Sequence, residues 1–240
     1  MNVAALFLVM HGSSDRRSWL ALRDLIAVAR SQSDRHIGGG CLEGQVLSLA
    51  QQLEQFAMEV IQSGGSEIVI LPVFLLEGVH VSEDIPAEVA IAQKNLKDKF
   101  HDRLTFRTTA YLGTNSQIPS LLLQQFDKYT EKSDPERQGR ILIAHGSRRA
   151  VANQVIEDLA RYSHAIAAYW GVEPKIETQV ESLLAKGIDK INVLPYFLTE
   201  GGITEAISKR LHTYSDRAQI QQLPVPLSHQ QIVDLLSELI

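Results

Sequence analysis

The chain has 240 residues, 45% of them hydrophobic and 21% charged, with 23 Lys and Arg against 28 Asp and Glu for a formal net charge of −5. That length carries one large or two small α/β domains, and the acidic balance argues against nucleic acid as the main partner, because phosphate binding needs a basic face. A single cysteine, Cys41, excludes a disulfide framework, a thiolate zinc site and an iron–sulfur cluster ligated by this chain alone, and it implies a reducing compartment.

The opening MNVAALFLVMHGSS contains an apolar run of eight residues without a basic leader. Such a run is too short to span a bilayer and reads as a buried first strand ending at His11-Gly12-Ser13. No targeting segment is visible, so the cytoplasm is the expected location and no membrane partner is expected. A helix follows, with Ser13, Ser14, Arg16 and Arg17 at its start, where free amides and the helix dipole favour anions. The same residues also suit plain capping and solvated charge.

The second strand, HIGGGCLE, ends at Cys41-Leu42-Glu43, and the next helix ends near Gly64. The run EIVILPVFLLEG gives a third strand, ended by Gly78, with His80 in the loop beyond it. Asp84 or Ser82 is expected to cap the helix that begins near Ile85-Pro86, and the Glu83-Asp84 pair is most simply that helix's N-terminus. A third helix, a β-rich run (LTFRTTAYLG) and an amphipathic helix close the half. The polar TEKSDPERQG, residues 130–139, reads as a surface linker.

The same order of features then recurs. RILIAHGS, with His145, matches ALFLVMHGS; Gly187 matches Gly64; KINVLPYFLTEG matches EIVILPVFLLEG; AQIQQLPVPLS and a last helix complete the copy. Continuous apolar runs alternating with helices are the signature of doubly covered parallel strands. The fold class is therefore α/β: two tandem doubly wound three-layer αβα lobes, each on a four-stranded parallel sheet, over residues 1–130 and 140–240.

Ligands of open parallel sheets bind beyond the carboxyl ends of the strands. His11, Glu43 and His80 leave three different strands toward one such edge. Each alone reads as well as a loop residue; their convergence makes them candidates. Cys41 reads as a small core residue, and His36, His101, His164, His212 and His229 show no ligand spacing. Two imidazoles and a carboxylate without thiolates suit a divalent metal held with open positions, and neutral histidine both ligates and accepts protons near neutral pH. Arg148 and Arg149, after His145, repeat the basic helix start, and two such starts suit a ligand rich in carboxylates.

The motifs HGSSDRR, CLE, LPVFLLEGVHVSEDIP and AYLGTNSQIPSLL, followed in the second half by HGSRRA, LPYFLTEGG and PLSHQQIVDLL, resemble the sirohydrochlorin chelatases, the class II chelatases of siroheme and cobalamin synthesis. The length and duplication resemble the two-lobed single-chain form. The resemblance implies a pair of α/β lobes with the tetrapyrrole in the cleft between them. It also implies insertion of Fe2+ or Co2+ as substrate, with release of two protons and with no organic cofactor or ATP. It places the metal-binding histidines on His11 and His80 and the acidic residue on Glu43. In the second copy His145 persists, but Ile203 aligns with His80 and Trp170 with Glu43. One active site is therefore expected, in the first half, with His145, Ser147 and Arg148 left to hold substrate carboxylates. Two fused copies make a monomer sufficient. The rival readings are a non-catalytic tetrapyrrole or metal carrier and a phosphohistidine enzyme with His11 as nucleophile. Met10 stands where the latter usually presents arginine.

Overall fold

The computed structural model describes residues 4–100, 103–130, 137–148 and 150–240. The first repeat runs β1 (Ala5–Gly12), α1 (Arg16–Ser31), β2 (Ile37–Glu43), α2 (Leu49–Gln62), β3 (Glu67–Pro72), α3 (Ile85–Phe100), β4 (Thr105–Thr108) and α4 (Ile118–Tyr129). The second runs β5 (Gln138–Ala144), α5 (Ala150–Tyr162), β6 (Ile166–Tyr169), α6 (Ile176–Leu184), β7 (Lys190–Pro195), α7 (Gly202–His212), β8 (Gln219–Gln222) and α8 (His229–Ser237). All strand pairs are parallel, in the orders β2-β1-β3-β4 and β6-β5-β7-β8. Two α/β units with four-stranded parallel sheets are thus present, as the apolar runs imply.

The period of two along β1 explains how the first sheet is covered. Ala5, Phe7 and Val9 join a core with Leu49, Leu53, Phe56 and Ala57 of α2 and Ile85, Ala92 and Leu96 of α3. Leu6, Leu8 and Met10 are buried on the other face, where α1 lies: a side chain added at Gly39 of β2 would meet Leu22 and Ile26 of that helix. Each fully buried Leu, Ile or Phe contributes about 1.5–3 kcal/mol. The second sheet repeats the scheme, with Ile141, Ile143, Ile191 and Val193 packed against Ile176, Val180, Ile207 and Leu211.

Compactness and repeat divide the chain differently. One unit comprises the chain through Asn115 together with Ser228–Ile240; the other is Ser116–Leu227. In the first unit α8 packs on α1, where Gln32 donates to Gln230 at 2.6 Å. The buried Asn115 amide donates to the Leu235 carbonyl at 3.1 Å and to Glu238 Oε2 at 2.9 Å. In the second unit the Asn192 amide donates to the Tyr129 carbonyl at the end of α4, and Arg140 pairs with Asp127 at 2.7 Å. Each unit contains the helix that the sequence repeat assigns to the other.

Two local expectations need correction. The expected linker 130–139 is shorter at its far end, because Gln138 and Gly139 already belong to β5 and pair with Lys190 and Ile191; residues 131–136 lie outside the described set. Gly78 does not end the third strand. That strand stops at Pro72, whose ring lacks the N–H a ladder needs, and the chain runs as a loop to His80. Among the described residues, no helix is long and apolar enough to cross a membrane.

Candidate metal centre

The sheet order reverses between β1 and β3, since β2 lies to one side of β1 and β3 to the other. Such a switch point opens a crevice beyond the carboxyl ends of those strands. His11 is the penultimate residue of β1, and its odd position continues the Phe7–Val9 face on which α3 packs. His80 opens the turn that leads into α3, and Glu43 is the last residue of β2, in register with Gly12.

Two glycines draw the ends of β1 and β2 together. Gly12 adopts φ +78°, and a Cβ there would lie 2.1 Å from the Glu43 carbonyl oxygen; Gly44 adopts φ +75°, and its Cβ would lie 1.9 Å from the Ser13 carbonyl oxygen. Only residues without a side chain permit both the left-handed backbone and this approach.

His80 lies in a single π-helical turn, His80–Asp84, which continues directly into α3 through the bond from the Ile85 N–H to the His80 carbonyl. π-turns inserted in α-helices frequently mark functional sites. The expectation that Ser82 or Asp84 caps this helix is therefore corrected: the turn precedes the helix without a break. The Ser82 hydroxyl donates to the Gly78 carbonyl at 3.1 Å, and Asp84 Oδ2 accepts from His80 Nδ1 at 2.7 Å.

The two imidazoles meet edge to face, with centroids 4.4 Å apart and planes at 82°. Their Nε2 atoms are 3.0 Å apart, and His11 Nδ1 lies 2.7 Å from the Gly12 carbonyl oxygen. That carbonyl and the Asp84 carboxylate are acceptors, so hydrogen on each Nδ1 satisfies them and the two Nε2 atoms face each other. An N···N edge of this length is also what two ligands at about 2.0–2.1 Å from one cation make at a right angle. His11, Glu43 and His80 each offer one ligand atom, all within 4.8 Å of one another, and no other group of three or more His, Cys, Asp or Glu among the described residues does so. The His11 and Glu43 side chains are exposed and His80 is partly so.

Cys41 stays outside this cluster. It is fully buried, and burial pushes its thiol up to about 11, so no thiolate is available near neutral pH. Among the expected anion-binding residues, Ser13 Oγ accepts the Asp15 N–H at 3.1 Å, and Ser14 and Arg16 are exposed. Asp15 caps α1, accepting from the Arg17 N–H at 2.9 Å, and the Arg17 guanidinium holds the Asp15 carboxyl below its ordinary range. The α1 N-terminus is thus served by the chain's own carboxylate, and Arg16 and Arg17 are both exposed, Arg17 as the ion-pair partner of Asp15.

In the second unit His145 is exposed, and Ser147 and Asn153 bond reciprocally at 2.8 Å, Ser147 through its backbone; Arg148 is exposed, and Arg149 lies outside the described residues. The expected alignment of Trp170 with Glu43 is off by one. Met10 pairs with Cys41 and Gly12 with Glu43, while Ala144 pairs with Tyr169, so the ladder puts Gly171 at the Glu43 position. Gly171 donates to the His145 carbonyl at 2.7 Å. Trp170 instead packs beside the second core, with the Arg210 guanidinium 4.2 Å above its ring, and Ile203 packs on the same core. Neither a carboxylate nor a second imidazole stands beside His145 at the equivalent positions.

Sequence reasoning missed Asp84 as a partner of His80. The usable signal was their spacing of four, which on a helical turn puts two side chains on one face.

A parallel α/β protein with a two-histidine, one-carboxylate cluster at the switch point of its first sheet is the class these observations define. The CbiX family model matches residues 5–129 and 139–240, and the chain belongs to that family, the sirohydrochlorin chelatases. Over 164 residues it is 24% identical to a sirohydrochlorin cobaltochelatase of Priestia megaterium, spanning 64% of this chain and 52% of that protein. Over 178 residues it is 22% identical to a sirohydrochlorin ferrochelatase of the same organism, spanning 70% and 64%. The matches therefore cover about half to two thirds of these curated relatives. The fold is similar to that of SirB from Bacillus subtilis with Fe3+, with a TM-score of 0.79, 16% identity, and coverage of 98% of this chain and 93% of that one.

Proposed function

We propose that this chain inserts Fe2+ or Co2+ into sirohydrochlorin, giving the metallated macrocycle and two protons. The observation that carries the reading is the meeting of His11 and His80 Nε2 at 3.0 Å with the Glu43 carboxylate in the same cluster. The names of the relatives, a cobaltochelatase and a ferrochelatase, supply the substrate.

The chemistry follows from the donor set. A divalent cation needs both Nε2 lone pairs, so it binds the pair with hydrogen confined to the Nδ1 atoms. Histidine and carboxylate ligands at an exposed site leave positions open for pyrrole nitrogens. As two pyrrole N–H protons are lost and the macrocycle nitrogens take the cation, the vacated imidazoles and Glu43 accept those protons and pass them to solvent. Positioning ring and metal together supplies much of the rate. Arg16, Arg17, Ser13 and Ser14, near His11 in sequence, offer cationic and hydroxyl partners for the substrate's carboxylates, Arg17 with part of its charge already offset by Asp15. His145, Ser147 and Arg148 offer the same chemistry on the second unit.

The test is spectroscopic metal insertion by the purified chain with sirohydrochlorin and each metal. Wild type is expected to turn over and His80→Ala to lose most of the rate. Near-normal turnover by His80→Ala overturns the assignment, and stoichiometric binding without turnover identifies a carrier instead.

A further inference from the structure

We infer that Asp84 is a positioning residue for the metal centre: it fixes the proton of His80 on Nδ1 and so presents the Nε2 lone pair to the cation. The inference rests on the functional reading above only for what the held metal is used for; its own ground is the geometry of one turn. His80 and Asp84 are four residues apart, and Asp84 Oδ2 lies 2.7 Å from His80 Nδ1. The other ring nitrogen faces His11 Nε2 at 3.0 Å. A carboxylate can only accept there, so the hydrogen belongs to Nδ1 and the ring cannot rotate without breaking two contacts. Carboxylate–histidine pairs of this kind orient metal ligands and raise their basicity.

The π-helical turn explains why the pair forms. The Val81 and Ser82 backbone N–H groups bond to the Gly78 carbonyl and the Ile85 N–H to the His80 carbonyl, and these main-chain bonds hold the His80 backbone. Asp84 then points its carboxylate back along the turn rather than capping α3. His11 gains the same tautomer more cheaply, from the neutral Gly12 carbonyl 2.7 Å from its Nδ1. The two ligands are therefore unequal: only His80 is backed by a full negative charge. With Glu43, Asp84 brings the cluster to two carboxylates and two imidazoles, which matches the charge of a divalent cation.

The test uses the full chain in two measurements. Proton–nitrogen correlation spectra of metal-free, histidine-labelled protein, at a pH about one unit or more above the ordinary histidine value, read the tautomer directly. His80 is expected as Nδ1–H in wild type and as a tautomer mixture in Asp84→Ala. Titration with Co2+ alone, followed by its visible ligand-field band, should weaken roughly 10–100-fold in Asp84→Ala. Asp84→Asn should fall between, since its amide oxygen still accepts the Nδ1 hydrogen without the charge, and Ser82→Ala should match wild type. Wild-type tautomer and Co2+ affinity in Asp84→Ala overturn the inference, as does an equal loss in Ser82→Ala. Asp84-dependent Co2+ binding in a chain that never metallates sirohydrochlorin sinks the functional reading and leaves this inference standing. Insertion by wild type and Asp84→Ala alike sinks this inference alone.

Discussion

Replacing Gly12 by alanine separates backbone strain from loss of the site. Gly12, Gly64 and Gly146 all have positive φ, at +78°, +83° and +80°. An alanine at any of them costs about 1–2 kcal/mol for the left-handed backbone. At Gly64 the new methyl enters open space, so nothing is added. At Gly12 it would lie 2.1 Å from the Glu43 carbonyl oxygen and 2.6 Å from Cys41 Cβ, and neither can move without parting β1 from β2. Overpacking of this kind adds about 1–3 kcal/mol, for a total of about 2–5 kcal/mol. With about 2–4 °C per kcal/mol in a chain of this size, Gly12→Ala should lower Tm by roughly 5–15 °C, and Gly64→Ala by less. Gly146→Ala meets Tyr169 Cβ at 2.7 Å and Val172 Cγ2 at 2.8 Å, so it should cost stability comparably. Co2+ titration at a temperature where all three variants are folded then distinguishes them. Only Gly12→Ala should lose affinity, because only there does the displaced backbone carry His11 and Glu43. A Gly12→Ala protein as stable as Gly64→Ala, or one that binds Co2+ like wild type, refutes the reasoning.

Other outcomes follow from the same structure. His145→Ala should leave Co2+ stoichiometry and affinity unchanged by calorimetry, since Gly171 and Ile203 supply no ligand beside it, whereas His11→Ala should abolish binding. Cys41 should resist a thiol reagent at mildly alkaline pH and react at once in denaturant. Because burial raises this thiol to about 11 from an ordinary 9.0, its contribution to stability is complete below that ordinary value and fades as pH climbs toward about 11, which urea midpoints can follow. An isolated fragment of residues 1–130 should fail to fold in circular dichroism. It lacks the buried Ile232, Val233, Leu235 and Leu236 of α8, about 6–12 kcal/mol together and comparable to the whole stability of a domain. Residues 4–115 joined by a flexible linker to 228–240 should fold and bind Co2+.

The sequence by itself determined the architecture and the meeting of three side chains. Apolar runs without alternation, each followed by a helix, admit little but parallel strands, and the carboxyl ends of parallel strands share one edge. Residues ending β1, β2 and the β3 loop therefore had to converge, and His11, Glu43 and His80 do so within 4.8 Å. Tertiary structure alone decided which sheet covers each amphipathic helix. An apolar stripe states that α4 and α8 are packed but not against what, and each joins the other repeat's unit. It also decided the register that sets Gly171, not Trp170, opposite Glu43, because one residue fewer between strand and repeat is invisible until the ladder is formed. Asp84 was hidden for a related reason: an acidic residue before a helix is ordinarily a cap, and only the π-turn redirects it onto His80.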